Sequence, residues 1–81
     1  MIYEWTFRWE CNDWKVYFEL ETDPNVGHYP VETEFFLVTP YGEADLKGKI
    51  TEALCAHFCD VEWPKFYQEW QGEQEIRLAL R

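Results

Sequence analysis

The residues that could do chemistry in this chain are three cysteines, two histidines and many carboxylates. Cys55, His57 and Cys59 lie close together, as metal ligands often do. On a helix, however, Cys55 and Cys59 share one face at positions i and i+4, whereas His57 points elsewhere. Cys11 and His28 could in principle complete a zinc site, but Cys11 belongs to the inward face of a predicted hairpin. We therefore expect no metal and no cofactor.

Nucleophilic catalysis is not supported by the residue types present. The chain contains no serine, and Cys55 and His57 diverge on a helix, so no nucleophile lies beside a base. The carboxylates are so abundant that close pairs arise by chance and do not indicate acid–base catalysis. The four glycines are isolated, which excludes a glycine-rich phosphate loop. The sequence predicts a protein that is not an enzyme.

Charge is the strongest compositional signal. Sixteen acidic residues against seven basic ones give a net charge of −9 over 81 residues. Direct binding to nucleic acid is disfavoured, because no cluster of lysine and arginine is available to neutralise phosphates. An anionic membrane would repel the chain for the same reason. The favoured partner is a basic protein surface, which long-range attraction would help to capture.

Carboxylates recur at every second residue in two segments that are typical of strands. Glu19, Glu21 and Asp23 form one row, and Glu32 and Glu34 form another. Alternate strand residues lie about 6.6 Å apart on one face, close to the rise of two base pairs, about 6.8 Å. Two interpretations are open. The rows imitate phosphates and occupy a nucleic-acid site on another protein, or they form a solvated face that keeps the protein in solution.

Two further groups of side chains have two interpretations each. Trp63, Tyr67 and Trp70 recur at i, i+4 and i+7 of a short predicted helix, where they either pack in the core or contact a partner. Cys55 and Cys59 fall opposite the apolar stripe of the main helix, although cysteine is usually buried. The stripe consists of Leu46, Ile50, Ala53, Leu54, His57, Phe58 and Val61. Either that helix ends early or is covered on two sides, or this face packs on a partner or a second copy of the chain.

The elements that position these residues begin with a β-hairpin. Apolar and polar residues alternate from Tyr3 to Cys11 and again from Trp14 to Leu20, which is the period of a half-buried strand. A two-residue turn at 12–13 would place the apolar set on one face, with Trp9 opposite Val16.

The rest of the chain predicts one more strand, two helices and a closing strand. The expected elements are a loop over 23–30, a strand over 32–39, a main helix over 43–59, a short helix between Pro64 and Gly72, and a strand over 75–81. The order β-β-β-α-α-β is typical of a single α+β domain, an antiparallel sheet with both helices on one face.

Compartment and function follow from what the sequence lacks. No signal peptide or membrane span is predicted. An odd number of cysteines fits the reducing cytoplasm, which would be the host cytoplasm if the protein is viral. Small, acidic, catalytically empty domains are a common form of inhibitor of nucleic-acid enzymes, including phage anti-CRISPR and DNA-mimic proteins. We expect an inhibitor of that kind. The alternatives are an immunity protein or antitoxin against a basic toxin, and a homodimeric structural or assembly subunit using the Cys55/Cys59 face.

Overall fold

A computed structural model describes residues 1–45 and 51–79 of the chain. The chain divides into two compact units, Met1–Lys49 and Ile50–Arg81. The first holds strands β1 (Ile2–Trp9), β2 (Asn12–Asp23), β3 (Gly27–Thr39) and β4 (Gly42–Asp45), in one antiparallel sheet of order β1-β2-β3-β4. The second holds α1 (Glu52–His57), a π-helical turn (Phe58–Glu62) and α2 (Trp63–Ala79). The predicted α+β class with an antiparallel sheet is confirmed, in the order β-β-β-β-α.

β1 and β2 form the predicted hairpin, but the turn lies two residues earlier than predicted, so each β1 residue pairs with a β2 residue four positions earlier than predicted. Glu10 and Cys11 make the turn with left-handed φ values of 49° and 65°, so Trp9 pairs with Asn12 and not with Val16. Because side chains alternate with period two, a shift of four residues keeps each strand residue on its predicted face. The buried residues of the hairpin are Phe7, Trp14, Val16 and Phe18. Cys11 is the exception, since the turn exposes it.

β3 is longer than predicted because the loop before it is a tight turn. Asp23 Oδ1 accepts the N–H of Asn25 at 2.7 Å, and the Asp23 carbonyl accepts the N–H of Val26 at 3.2 Å. Gly27 then begins the strand with a φ of 95°, a conformation that glycine adopts easily. His28, predicted in a loop, therefore lies in β3. The strand ends at Thr39, as predicted.

The region predicted as the start of the main helix forms β4 instead. Thr39 Oγ1 donates to the carbonyl of Gly42 at 2.7 Å, and this turn reverses the chain so that Glu43 pairs with Val38. Glu43 is therefore a strand residue and does not lie in a helical first turn. Leu46, Gly48 and Ile50, which the prediction placed in the main helix, lie outside the described residues.

The described helical segment starts at Glu52 and is capped by the preceding residue. The Thr51 side chain accepts the N–H of Leu54 at 3.3 Å, which satisfies one of the N–H groups that a helix start leaves without a partner. Leu54 and Phe58 of the predicted apolar stripe are buried, whereas Ala53 and Val61 are exposed. The stripe is therefore narrower than predicted.

A π turn allows the helix to continue past Pro64. Proline has no N–H to donate and its ring crowds the preceding turn. Here the N–H of Trp63 bonds to the carbonyl of Phe58, five residues back, so the helix widens just before the proline. Gly72 does not end the helix, which runs to Ala79. The predicted stop at Gly72 and the strand over 75–79 are wrong, and residues 80–81 lie outside the described part.

Candidate functional site

The acidity of the chain is concentrated in the part that forms the sheet. Residues 1–45 contain ten acidic and two basic side chains, whereas the remainder contains six and five. Both cations of the sheet face carboxylates: Arg8 Nη1 lies 3.5 Å from Asp13 Oδ1, and Lys15 Nζ lies 3.1 Å from Glu43 Oε1. This uneven distribution can be read from the sequence alone and would have located the acidic surface.

Four of the predicted carboxylates lie together on one face of β2 and β3. Glu19 and Glu21 alternate along β2 with the buried Phe18 and the half-buried Leu20, and so they point to the opposite face. Glu34 is on that same face because it pairs with Tyr17. With Glu32, whose carboxyl group lies close enough to that of Glu19 for its pKa to be raised, they form the acidic patch, defined as Glu19, Glu21, Glu32 and Glu34.

A β-bulge brings Glu32 into the acidic patch. Tyr17 pairs with Glu34 but Glu19 pairs with Val31, so the two residues between them on β3 share one position opposite β2. Glu32 has a φ of 52°, in the left-handed region that costs a residue with a side chain about 1 kcal/mol. Strained backbone of this kind is common at functional positions. Sequence spacing predicted two regular rows and could not indicate the bulge.

The carboxylates of the acidic patch repel one another. The pKa of Glu32 is raised above its ordinary value of 4.5, first by the hydrogen bond to Glu19, then by the Glu19 charge, burial, and the charges of Glu21 and Glu34. A raised carboxyl pKa means that the folded chain disfavours the ionised form. The fold therefore holds these charges together at a cost in stability, which binding to a cationic surface would relieve.

A cavity of about 150 Å³ opens within the acidic patch. The residues that line it are three members of the acidic patch and three less polar residues, namely Glu19, Glu32, Glu34, Ile2, Tyr17 and Phe18. Ligand pockets for drug-sized molecules usually measure at least about 300 Å³, so this cavity is too small for such a ligand. It has the size and lining to receive one long side chain.

Hydrogen bonds between strands fix the positions of residues in and around the acidic patch. Tyr17 Oη donates to Glu43 Oε1 at 2.7 Å, which links β2 to β4, and Tyr29 Oη donates to Glu21 Oε2 at 3.0 Å. The bond from Tyr17, followed by that from Lys15, lowers the pKa of Glu43. Asp23, the last residue of the predicted row, accepts the Asn25 N–H and caps the turn after β2.

The predicted aromatic group on the helix forms a continuous stack. Trp63 and Tyr67 have ring centroids 5.5 Å apart, and Tyr67 and Trp70 have centroids 6.0 Å apart, with interplanar angles of 29° and 22°. All three side chains are half-buried, whereas the neighbouring Phe66 is buried. Half-buried rings fit both interpretations, packing and partner contact. Their role as partner-binding residues stays a prediction.

The cysteines of the helix are solvent-exposed. Cys55 and Cys59 are both exposed, and the helix continues beyond them, so neither an early helix end nor a second covering layer explains their position. Although Cys59 is exposed as a residue, partial burial of its thiol, followed by the neighbouring Cys55 and Asp60, raises the thiol pKa and so disfavours the thiolate needed for nucleophilic attack or metal binding. Within residues 1–45 and 51–79, no three His, Cys, Asp or Glu side chains converge as metal ligands.

The helix contains one polar pair that the sequence reasoning missed. His57 Nε2 lies 2.7 Å from Glu62 Oε2, and Glu62 is only 5% exposed. The five-residue spacing matches the wider π turn that separates the two side chains. A signal was present, since Glu62 continues the buried i, i+4 series of Leu54, Phe58 and Phe66, where a carboxylate needs a partner.

We expect Glu32→Gln to raise the melting temperature at neutral pH, because it removes one charge from a self-repelling group. A carboxyl whose pKa rises on folding stabilises the fold in its protonated form. That contribution is complete below the unfolded value of 4.5 and is lost as pH rises through the raised value. The gain from Glu32→Gln should thus be present above the raised pKa and vanish as pH falls below 4.5. Thermal unfolding over a pH series measures it.

Glu69→Gln is the matched control for this prediction. It changes the net charge by the same amount at an exposed position of α2, which is not part of the acidic patch. We expect a smaller gain at neutral pH from Glu69→Gln. Equal gains from the two variants, or a gain from Glu32→Gln that persists at pH 3, would contradict the proposed repulsion.

No protein-family model, curated protein or solved structure matches this chain. Among the described residues, no helix has both the length and the apolar character needed to cross a membrane. The function has to be inferred from the residues of the chain itself.

Proposed function

We propose that this protein is a non-catalytic inhibitor that binds a basic, nucleic-acid-binding surface of an enzyme through the acidic patch. The observation that carries the proposal is the convergence of four carboxylates on one face of the sheet, close enough to raise the pKa of Glu32. A groove that binds nucleic acid is lined by cations placed to meet closely spaced phosphates. The acidic patch offers such a groove a fixed set of closely spaced anions.

The arrangement of the charges favours binding over a purely solubilising role. A solubilising surface works best with charges dispersed and both signs interspersed. In the acidic patch, like charges are adjacent, and one of them is on a bulge with left-handed backbone at Glu32. Local features that lower stability without a compensating contact are typical of functional sites.

The cavity in the patch suggests how a basic side chain would be held. The methylene groups of an arginine or lysine can lie on apolar surface while the charged end reaches an anion. Ile2 provides apolar surface, and Glu19, Glu32 and Glu34 surround the place for the charged end. Arginine would gain most, because its planar group can form paired hydrogen bonds with a carboxylate.

The stacked aromatic side chains have a separate part in the proposal. Trp63, Tyr67 and Trp70 belong to the residue types that most often dominate binding energy at interfaces. We infer that they act as anchors and set the dissociation rate, whereas the acidic patch sets the association rate.

The proposal covers a family of related roles in the cytoplasm. Anti-CRISPR and DNA-mimic inhibitors of phage origin block basic nucleic-acid channels, and an immunity protein or antitoxin would block a basic toxin in the same physical manner. The identity of the partner alone separates these roles. An assembly role through the exposed Cys55/Cys59 face is the alternative that would not need the acidic patch.

The test is affinity capture from a bacterial lysate at low salt, followed by mass spectrometry. Wild-type protein is compared with a patch variant that carries glutamine at Glu19, Glu21, Glu32 and Glu34. A control variant carries glutamine at four exposed helix residues, namely Glu52, Glu69, Glu73 and Glu75. We expect wild type and control, but not the patch variant, to recover an enzyme with a basic nucleic-acid channel. Added nucleic acid should release the captured enzyme from this protein. Equal recovery by all three proteins would contradict the proposal.

A further inference from the structure

The outer edge of β1 has a sequence that is complementary to itself. β1 is the first strand in the sheet order, and no strand of residues 1–45 or 51–79 pairs with it on the side away from β2. An edge strand offers a row of N–H and C=O groups with which another strand can pair. We propose that two copies of this chain form a dimer by antiparallel pairing of their β1 strands, centred on Thr6.

The hairpin turn determines which backbone groups of β1 face the outer edge. A two-residue turn at Glu10 and Cys11 is closed by Trp9 and Asn12 as a hydrogen-bonded pair. Every second residue back from Trp9 then bonds to β2. The residues between them direct their N–H and C=O groups outward, namely Glu4, Thr6 and Arg8.

Charge selects one register for the pairing. With Thr6 opposite Thr6, Glu4 of each copy lies opposite Arg8 of the other, and about six backbone hydrogen bonds form. A shift by two residues in one direction places Ile2 opposite Arg8 and Glu4 opposite Thr6. A shift in the other direction places Arg8 opposite Thr6. Only the register centred on Thr6 pairs each charge with its opposite.

Contacts already present in each copy extend this pairing into an alternating row of charges. Arg8 Nη1 lies 3.5 Å from Asp13 Oδ1, and Lys15 Nζ lies 3.8 Å from Glu4 Oε2. Across the dimer the order becomes Asp13, Arg8, Glu4 of the second copy, and Lys15 of the second copy. Each charge in the row then has neighbours of opposite sign.

The other face of the paired strands brings aromatic side chains together. In the same register Trp5 lies opposite Phe7 of the second copy, and Tyr3 lies opposite Trp9. Cross-strand aromatic pairs are among the favourable contacts of antiparallel sheets. Tyr3, Trp5 and Trp9 are half-buried in the single chain, so they have further surface to lose.

The opposite edge of the sheet does not offer the same match. Within residues 1–45, β4 comprises Gly42–Asp45, whose charged side chains are both acidic, so two copies of this segment could not pair opposite charges. β1 has eight residues and no proline. The dimer is independent of the proposed function, because its contacts use β1 and not the acidic patch.

Sedimentation of the full chain over a concentration series tests the dimer. At physiological salt the screening length is about 8 Å, which weakens repulsion between two acidic copies but not contacts between adjacent strands. We expect a reversible dimer whose dissociation constant rises at least about tenfold in Glu4→Arg and in Arg8→Glu. The double variant should return to within about threefold of wild type. In single and double variants alike, the new side chains face like charges at Lys15 or Asp13 of their own copy. Recovery would therefore come from pairing between copies.

A second pair of variants tests the backbone contact directly. Thr6→Pro removes an outward N–H, which an edge strand tolerates, whereas Thr6→Val keeps it. We expect Thr6→Pro to be monomeric and Thr6→Val to remain dimeric, with circular dichroism confirming that both are folded. A wild-type monomer up to about 1 mM would overturn the proposal. A dimer whose dissociation constant is unchanged by Thr6→Pro and by the Glu4→Arg and Arg8→Glu substitutions would overturn it as well.

Discussion

Charge reversal of the acidic patch, with lysine in place of Glu19, Glu32 and Glu34, is expected to slow association with the captured partner by about a hundredfold. Electrostatic attraction acts before contact, so it changes the encounter rate more than the dissociation rate. These three residues line the cavity, and their reversal places cations where a basic side chain of the partner would enter. Binding kinetics by surface plasmon resonance measure both rates.

A matched variant separates the position of the charges from their number. Lysine in place of Glu69, Glu73 and Glu75 changes the net charge by the same amount on exposed helix positions. We expect this control to slow association by about tenfold or less, because its charges lie outside the acidic patch. Raising salt should slow the wild type and should reduce the difference between the two variants.

Two results would contradict the inhibitor proposal. The first is an affinity that does not change with salt. The second is a ternary complex in which nucleic acid and this protein bind the partner together. Either result would mean that the acidic patch is a solubilising surface, and Trp63, Tyr67 and Trp70 would then be the candidate partner-binding residues.

The sequence predicted which face each strand residue of the hairpin occupies, but neither the register nor the exposure of Cys11 in the turn. Asn-Asp is a favoured turn pair, whereas left-handed backbone at Glu10 and Cys11 is unfavourable, so local propensity pointed to a turn at 12–13. Contacts between the strands favour the observed alternative. It sets Arg8 opposite Asp13, brings Lys15 near Glu4, and lets the Asn12 side chain donate to the Glu10 carbonyl at 3.2 Å. Both registers keep Phe7, Trp14, Val16 and Phe18 on the same face, so the apolar pattern of the strands cannot separate them.

The helical part was predicted less well because its local signals are ambiguous. Pro64 and Gly72 are usual markers of a helix start and a helix end. In the structure a π turn precedes Pro64, and the small free-energy cost of a glycine inside a helix does not end the helix at Gly72. The alternation of Ile76 and Leu78 resembles a closing strand. In the structure both side chains are exposed on α2, at 61% and 66%, so the apolar residues there do not mark a buried face.

The candidate site was predicted in composition but not in geometry. Glu19, Glu21, Glu32 and Glu34 were identified from their spacing, and the structure brings them together. Their closeness depends on the bulge at Glu32. The residue type does not predict this bulge, because glycine or asparagine is the usual residue at a positive φ. Asp23 had the same spacing, but the turn after β2 uses its carboxylate.

Phe18→Ala is expected to lower the free energy of unfolding by about 3–5 kcal/mol, the largest stability effect that we predict. Phe18 is only 1% exposed, stacks on Tyr3 with ring centroids 6.2 Å apart, and lies opposite the bulge that carries Glu32. Removing its ring leaves a space that neighbouring strands cannot fill. The total free energy of unfolding of a small domain is about 5–15 kcal/mol, so Phe18→Ala would remove a large share of the stability. Urea denaturation followed by tryptophan fluorescence measures the change.

Two other positions on the hairpin make this prediction specific. Trp9 is half-buried beside the turn, so Trp9→Ala should cost about 1–2 kcal/mol, less than its position opposite Val16 would have implied. Thr6 is exposed on the face opposite Phe18, and Thr6→Ala should cost under about 0.5 kcal/mol. If Trp9→Ala proved as costly as Phe18→Ala, the turn at Glu10 and Cys11 would be wrong, because Trp9 would then lie within the buried set. If Thr6→Ala were the costly change, the two faces of the sheet would be exchanged, and the acidic patch could not be on its solvent-facing side.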